Sequence, residues 1–198
     1  ASDVYKRQFH GFEFDDMKGF EAVPDALLQS YRDLLKEAQL MPSTTLVFDG
    51  SCTKRWVNAI CAFRNMHLIT DQSVEMLKGE LLQLLDELEE IAVAGQFRSG
   101  KPVSIYISDM DIEATYCYVA ARHYRASCIE AFSINSLRSA DPGMFEHVKR
   151  WITSLSRFAT LISCSGELQR IHFFKRQRAI VAELEREGLE PSPEVFQE

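Results

Sequence analysis

Two short apolar runs, TTLVFDG at residues 44–50 and VSIYIS at 103–108, bracket one long stretch of helical periodicity. That alternation restricts the fold more than any other feature. From Asp71 to Ala94, the residues Val74, Leu77, Leu81, Leu84, Leu85, Leu88 and Ile91 recur at steps of three and four, the spacing of one apolar helix face. The flanking runs are short and rich in β-branched and aromatic residues, and each predicts a buried strand. Strands alternating with helices predict a parallel α/β core with right-handed crossovers.

The remaining segments extend this pattern. Pro24 sits at the first turn of a helix that presents Leu27, Leu28, Tyr31, Leu34 and Leu35 on one face, and Pro42 ends it. Residues 56–66 are less regular and read as loop running into helix. Gly95 and Gly100 break the long helix before the second strand. Residues 112–126 read as another helix, with strand-like CIEAFSI behind it. A loop, SADPG at 139–143, precedes a helix over 144–158, and a last helix is expected over 166–187, stopped by Gly188 and Pro191. Residues 9–20 alternate aromatics and acids, as in an edge strand and turn. Residues 2–8 resemble the translation of a sequencing-library adapter joined to a metagenomic reading frame. The expected organisation is therefore a non-native leader at 1–8, an α/β core at 9–143 and C-terminal helices at 144–198.

Composition removes several classes of function. At 198 residues the chain is about one domain, with 46% hydrophobic and 26% charged residues, as in ordinary globular proteins. A net charge of −7 opposes nucleic-acid binding, which needs clustered cations to neutralise phosphates. The basic run RIHFFKRQR at 170–178 is short and reads as a solvated helix face. No window approaches 18 consecutive apolar residues, so no membrane span is expected. The five cysteines, Cys52, Cys61, Cys117, Cys128 and Cys164, lie far apart and form no Cys-x-x-Cys pair. Reduced thiols in a cytoplasmic protein are the expectation, with neither a zinc site nor a disulfide framework.

The segment from Lys101 to Phe132, KPVSIYISDMDIEATYCYVAARHYRASCIEAF, resembles the signature of the crotonase (enoyl-CoA hydratase-like) superfamily. That family carries Lys-Pro-Val, an apolar strand, then Asn-Gly-x-Ala-x-Gly-Gly-Gly-x-Glu-Leu running into a helix. Lys101, Pro102 and Val103 match, Ser108 and Asp109 take the Asn-Gly places, and Glu113, Ala114 and Thr115 replace the glycine triplet. Cys117 stands where hydratases put one catalytic Glu, and Ser136 where they put the second. Pro142, Gly143 and Met144 are similar to a Pro-Gly-Met loop of the diffusible signal factor synthases. Val57, Asn58 and Cys61 align with that branch's strand-following loop, Cys61 on its second Gly. The resemblance implies a crotonase-like (ClpP/crotonase) fold with parallel strands alternating with helices and a C-terminal helical oligomerisation region.

It also implies an oxyanion hole made of two backbone N–H groups, from Cys61 and Ala114, that would hold a thioester oxygen. The family's paired carboxyls are missing, and Cys61, Glu113 and Thr115 add side chains where glycines would leave room. Candidate replacements are Cys117 as a nucleophile, with Asp111 and Glu113, beside Asp109, as an acid/base set or a metal site. Each has a plainer reading: Cys117 as a small buried packing residue, and Asp109, Asp111 and Glu113 as partners of a helix N-terminus. His123 reads as a structural helix residue, and His67, His147 and His172 as surface residues. Tyr116, Tyr118 and Tyr124 read as half-buried helix packing. Trp151, Phe158, Phe173 and Phe174 read as oligomer contacts first and an acyl-chain pocket second.

The functional expectation is a crotonase-like protein with degenerate catalytic residues. It would serve as a non-catalytic or remodelled subunit beside an enzyme of fatty acyl-thioester metabolism. The alternative is a divergent enoyl-CoA hydratase- or thioesterase-like enzyme. No cofactor is expected; an acyl-CoA or acyl-carrier thioester would be the ligand. Homo- or hetero-oligomers with crotonase-like subunits, and an acyl carrier protein, would be the partners.

Overall fold

A computed structural model describes residues 23–110, 112, 116–120, 122–130, 133–164 and 166–185. The expected leader at 1–8, the edge strand at 9–20 and the end of the last helix beyond 185 lie outside the described residues. Within them the chain runs α1 (Val23–Gln39), β1 (Thr44–Asp49), α2 (Cys52–Asn65), α3 (Asp71–Ala94), β2 (Val103–Ser108), β3 (Tyr116–Ala120), β4 (His123–Glu130), β5 (Ser133–Ser139), α4 (Pro142–Ser156), β6 (Thr160–Leu161) and α5 (Glu167–Ala182). A turn of 3-10 helix, Glu183–Glu185, extends α5.

The architecture is mixed α/β. Among the described residues, one six-stranded sheet has the order β5-β4-β3-β1-β2-β6. The strands at the two apolar runs form as expected and lie side by side in parallel, with α2 and α3 as the crossover between them. A parallel core throughout is not what forms. Every other pairing, β1 with β3, β3 with β4, β4 with β5 and β2 with β6, is antiparallel.

The main correction falls on residues 112–126, expected as a helix. Residues 116–130 instead fold into β3 and β4, an antiparallel pair in which Tyr118 faces Arg125 and Val119 faces Tyr124. Residue types permit this, since Tyr116, Tyr118, Val119, Tyr124 and Ile129 are aromatic or β-branched and fit a pleated sheet, and pairing of β3 with β1 decides it. The segment alternates at period two, with Cys117 and Val119 on one face and Tyr118 and Ala120 on the other. The strand-like stretch expected at CIEAFSI is likewise split between β4 and β5.

The two faces of the sheet carry different cores. On one, Leu46, Phe48, Val103, Ile105, Ile107, Tyr118 and Ala120 pack against α1, α2, α3 and α5. All seven apolar residues of the long helix periodicity are buried there. Each contributes roughly 1.5–3 kcal/mol of gross transfer free energy. On the other face Val47, Cys117 and Ile152 form a smaller cluster under α4, edged by Tyr106, Ile112, Val119 and Val148. Tyr118 and Tyr124 are 0% and 1% exposed, so both are enclosed strand residues rather than half-buried helix residues. Among the described residues no helix is long and apolar enough to cross a membrane.

Local signals fix the helix ends. Thr70 caps α3, its hydroxyl accepting from the Ser73 amide at 3.1 Å, and Asp141 caps α4 by accepting from the Met144 amide at 2.8 Å. Thr70→Ala is expected to lower the unfolding free energy by about 1 kcal/mol, measured by urea denaturation, with Thr70→Ser close to wild type. An unchanged midpoint would show that this cap contributes nothing.

Candidate functional site

Ligand chemistry in open α/β sheets concentrates at the carboxyl ends of the parallel strands. Here those ends are Asp49 of β1 and Ser108 of β2, register partners in the sheet. Asp49 is only 3% exposed yet fully engaged. Its Oδ1 accepts from the Ser51 amide at 2.8 Å and the Ser51 hydroxyl at 2.7 Å. Its Oδ2 accepts from Arg55 Nη2 at 2.9 Å and from the Ile112 amide at 3.2 Å. Burial raises the Asp49 pKa, but the Ser51 hydrogen bonds and the Arg55 guanidinium outweigh it and hold the carboxyl below its ordinary value of 3.8.

Around Asp49 the backbone is tied in the same way. The Gly50 amide donates to the Ser108 carbonyl at 3.1 Å, and Gln177 Nε2 of α5 donates to the Gly50 carbonyl at 3.4 Å. The Ser108 hydroxyl donates to the Met110 carbonyl and accepts from the Met110 amide, shaping the turn after β2. This cluster thus joins β1, β2, the β1–α2 turn, α5 and the loop at Ile112. A carboxylate with four donors already in place and a lowered pKa is a poor proton acceptor. The arrangement is a polar clasp. Only the Asp-Gly that closes the first strand run hinted at it; the Ser51, Arg55 and Ile112 partnerships are tertiary.

Of the residues proposed from the resemblance, Cys61 and Cys117 do not meet. Cys61 lies inside α2, beyond its first turn, where a backbone N–H belongs to the helical hydrogen-bond ladder and is not an open donor. Its side chain is in the core on the α2 side of the sheet, whereas Cys117 is in the cluster on the α4 side. Cys117 is also a strand residue, register partner of Val47, not a residue at a helix N-terminus. It is 0% exposed, which is the packing role that competed with the nucleophile reading. Asp111, Glu113 and Ala114 lie outside the described residues, and Ser136 lies in β5, its side chain not described.

The thiols divide by environment. Burial pushes Cys52 up to about 11 and also raises Cys61. Cys164 is exposed. A disulfide reagent at pH 8 is therefore expected to modify Cys164 quickly, and Cys52 and Cys117 only as the protein unfolds. In a Cys128→Ser background the rapid phase should vanish on Cys164→Ser; its persistence there, traced by mass spectrometry to Cys117, would restore a reactive-thiol role for that residue.

Other candidates take up structural contacts. His123 opens β4 instead of sitting in a helix; its Nε2 lies 3.3 Å from Glu37 Oε1 of α1, and its ring meets Tyr118 edge-on. His67, His147 and His172 are exposed. The basic run on α5 is not a uniformly solvated face. Arg170 is buried and donates to the Ile162 carbonyl at 3.2 Å, and Arg178 pairs with Asp86 and Glu89 of α3. Phe174 is in the core at 2% exposed, while Trp151 and Phe158 are exposed. Among the described residues no group of three or more His, Cys, Asp or Glu is placed to hold a metal ion. In comparisons with known proteins, no family model, no curated protein and no solved structure matches the chain.

Proposed function

We propose that this protein acts by binding another protein rather than by catalysis, as a subunit in which Cys61 and Cys117 have been absorbed into the core. The observation that carries the reading is the position of Cys117, fully enclosed between the sheet and α4, on the opposite face from Cys61. A thioester cannot reach a thiol buried in that way, nor an amide committed to a helix. The sequence resemblance supplies the proposed context, an enzyme of fatty acyl-thioester metabolism with crotonase-like subunits. That context rests on sequence likeness, because the segment carrying it keeps the strand, β2, but builds an antiparallel strand pair where a helix was expected.

The binding surface in this proposal is the outer shoulder of α4. Met144 and Trp151 of α4 are 48% and 41% exposed and Phe158, two residues past the helix end, is 76% exposed, while Phe145, Ile152 and Leu155 on the inner side are buried. An apolar arc wider than the sheet covers is the kind of surface a partner buries.

Two measurements test the proposal. Purified protein mixed with short- and long-chain acyl-CoA should release no thiol and form no hydrated product above the uncatalysed rate. In sedimentation velocity at tens of micromolar, association alone or with a crotonase-like subunit should be lost in the Trp151→Asp, Phe158→Asp double variant, with the melting temperature retained. Turnover abolished by Cys117→Ala would replace the binding reading with the divergent enzyme. Association that survives the double variant would remove α4 from the interface.

A further inference from the structure

We draw no further inference here: the strongest candidate, the surface groove between the C-terminal ends of α1 and α3 lined by Gln39, Glu87, Glu90, Phe97 and Arg98, is an acidic cluster in which Arg98 already pairs with Glu90, and no second observation in the structure points to a ligand.

Discussion

Asp49→Ala is expected to lower the unfolding free energy by about 3–5 kcal/mol, the cost of breaking a buried ion pair by removing one partner. The variant strands the Arg55 guanidinium, the Ser51 donors and the Ile112 amide at once, in a place where water has little access. For a chain of this length that corresponds to roughly 10 °C in melting temperature. Asp49→Asn should lose less, since an amide oxygen can still accept from Ser51 or Ile112 while the charge is gone.

The same residue gives a pH signature. Because the folded-state pKa of Asp49 lies below its ordinary value, its stabilisation is present above that value. It is lost as pH falls through the lower, folded-state pKa. The stability difference between wild type and Asp49→Asn should therefore be constant near neutrality and shrink below about pH 4. Urea midpoints measured from pH 7 to pH 2.5 check this. A difference that stays flat across the whole range would mean the carboxylate is not held ionised by these partners.

Gly95→Ala is the second large effect, at about 2–5 kcal/mol. Gly95 ends α3 in the left-handed conformation, with φ of +63°, and its amide closes the helix on the Ile91 carbonyl at 2.8 Å. A side chain in that conformation costs roughly 1–2 kcal/mol by itself. Here a Cβ would also lie 1.8 Å from Cys164 Sγ, so that side chain must swing aside or the loop before α5 must shift, and overpacking adds about 1–3 kcal/mol. Cys164 is anchored there by its own amide, which donates to the Ala92 carbonyl at 3.0 Å.

Cys164 has a positive φ of its own, 59°, so Cys164→Gly relieves backbone strain while it removes the clashing sulfur. In the Cys164→Gly background, Gly95→Ala should recover the steric share of its cost and keep the conformational share. A double-mutant cycle reads this as a coupling of at least about 1 kcal/mol. Additive effects would show that the two residues do not touch.

Much of the fold is written locally. The heptad-like recurrence of leucines fixed the position and length of α3, because a 24-residue amphipathic run can bury its apolar face in only one way. The two strand runs were equally plain, since their side chains leave little alternative to a buried sheet, and they pair with each other. Residues 116–130 were not legible in the same way. Their apolar positions fit both periods, and sheet pairing with β1, whose Val47 lies opposite Cys117, decides for strand. Propensity is a weak prior once such pairing is available.

The candidate site divides along the same line. Residue types at Cys61, Cys117 and Glu113 were readable from the chain, and their kinship to a known signature gave each an expected role. What those residues can touch depends on which face of the sheet each occupies, and that is a property of strand pairing across distant segments. Sequence alone determined the helix and strand runs of the parallel pair, because their hydrophobic periods are local. Only the tertiary structure decided that Cys61 and Cys117 lie on opposite faces and that Asp49 and Gly50 are clasped, because those contacts join residues up to 127 positions apart.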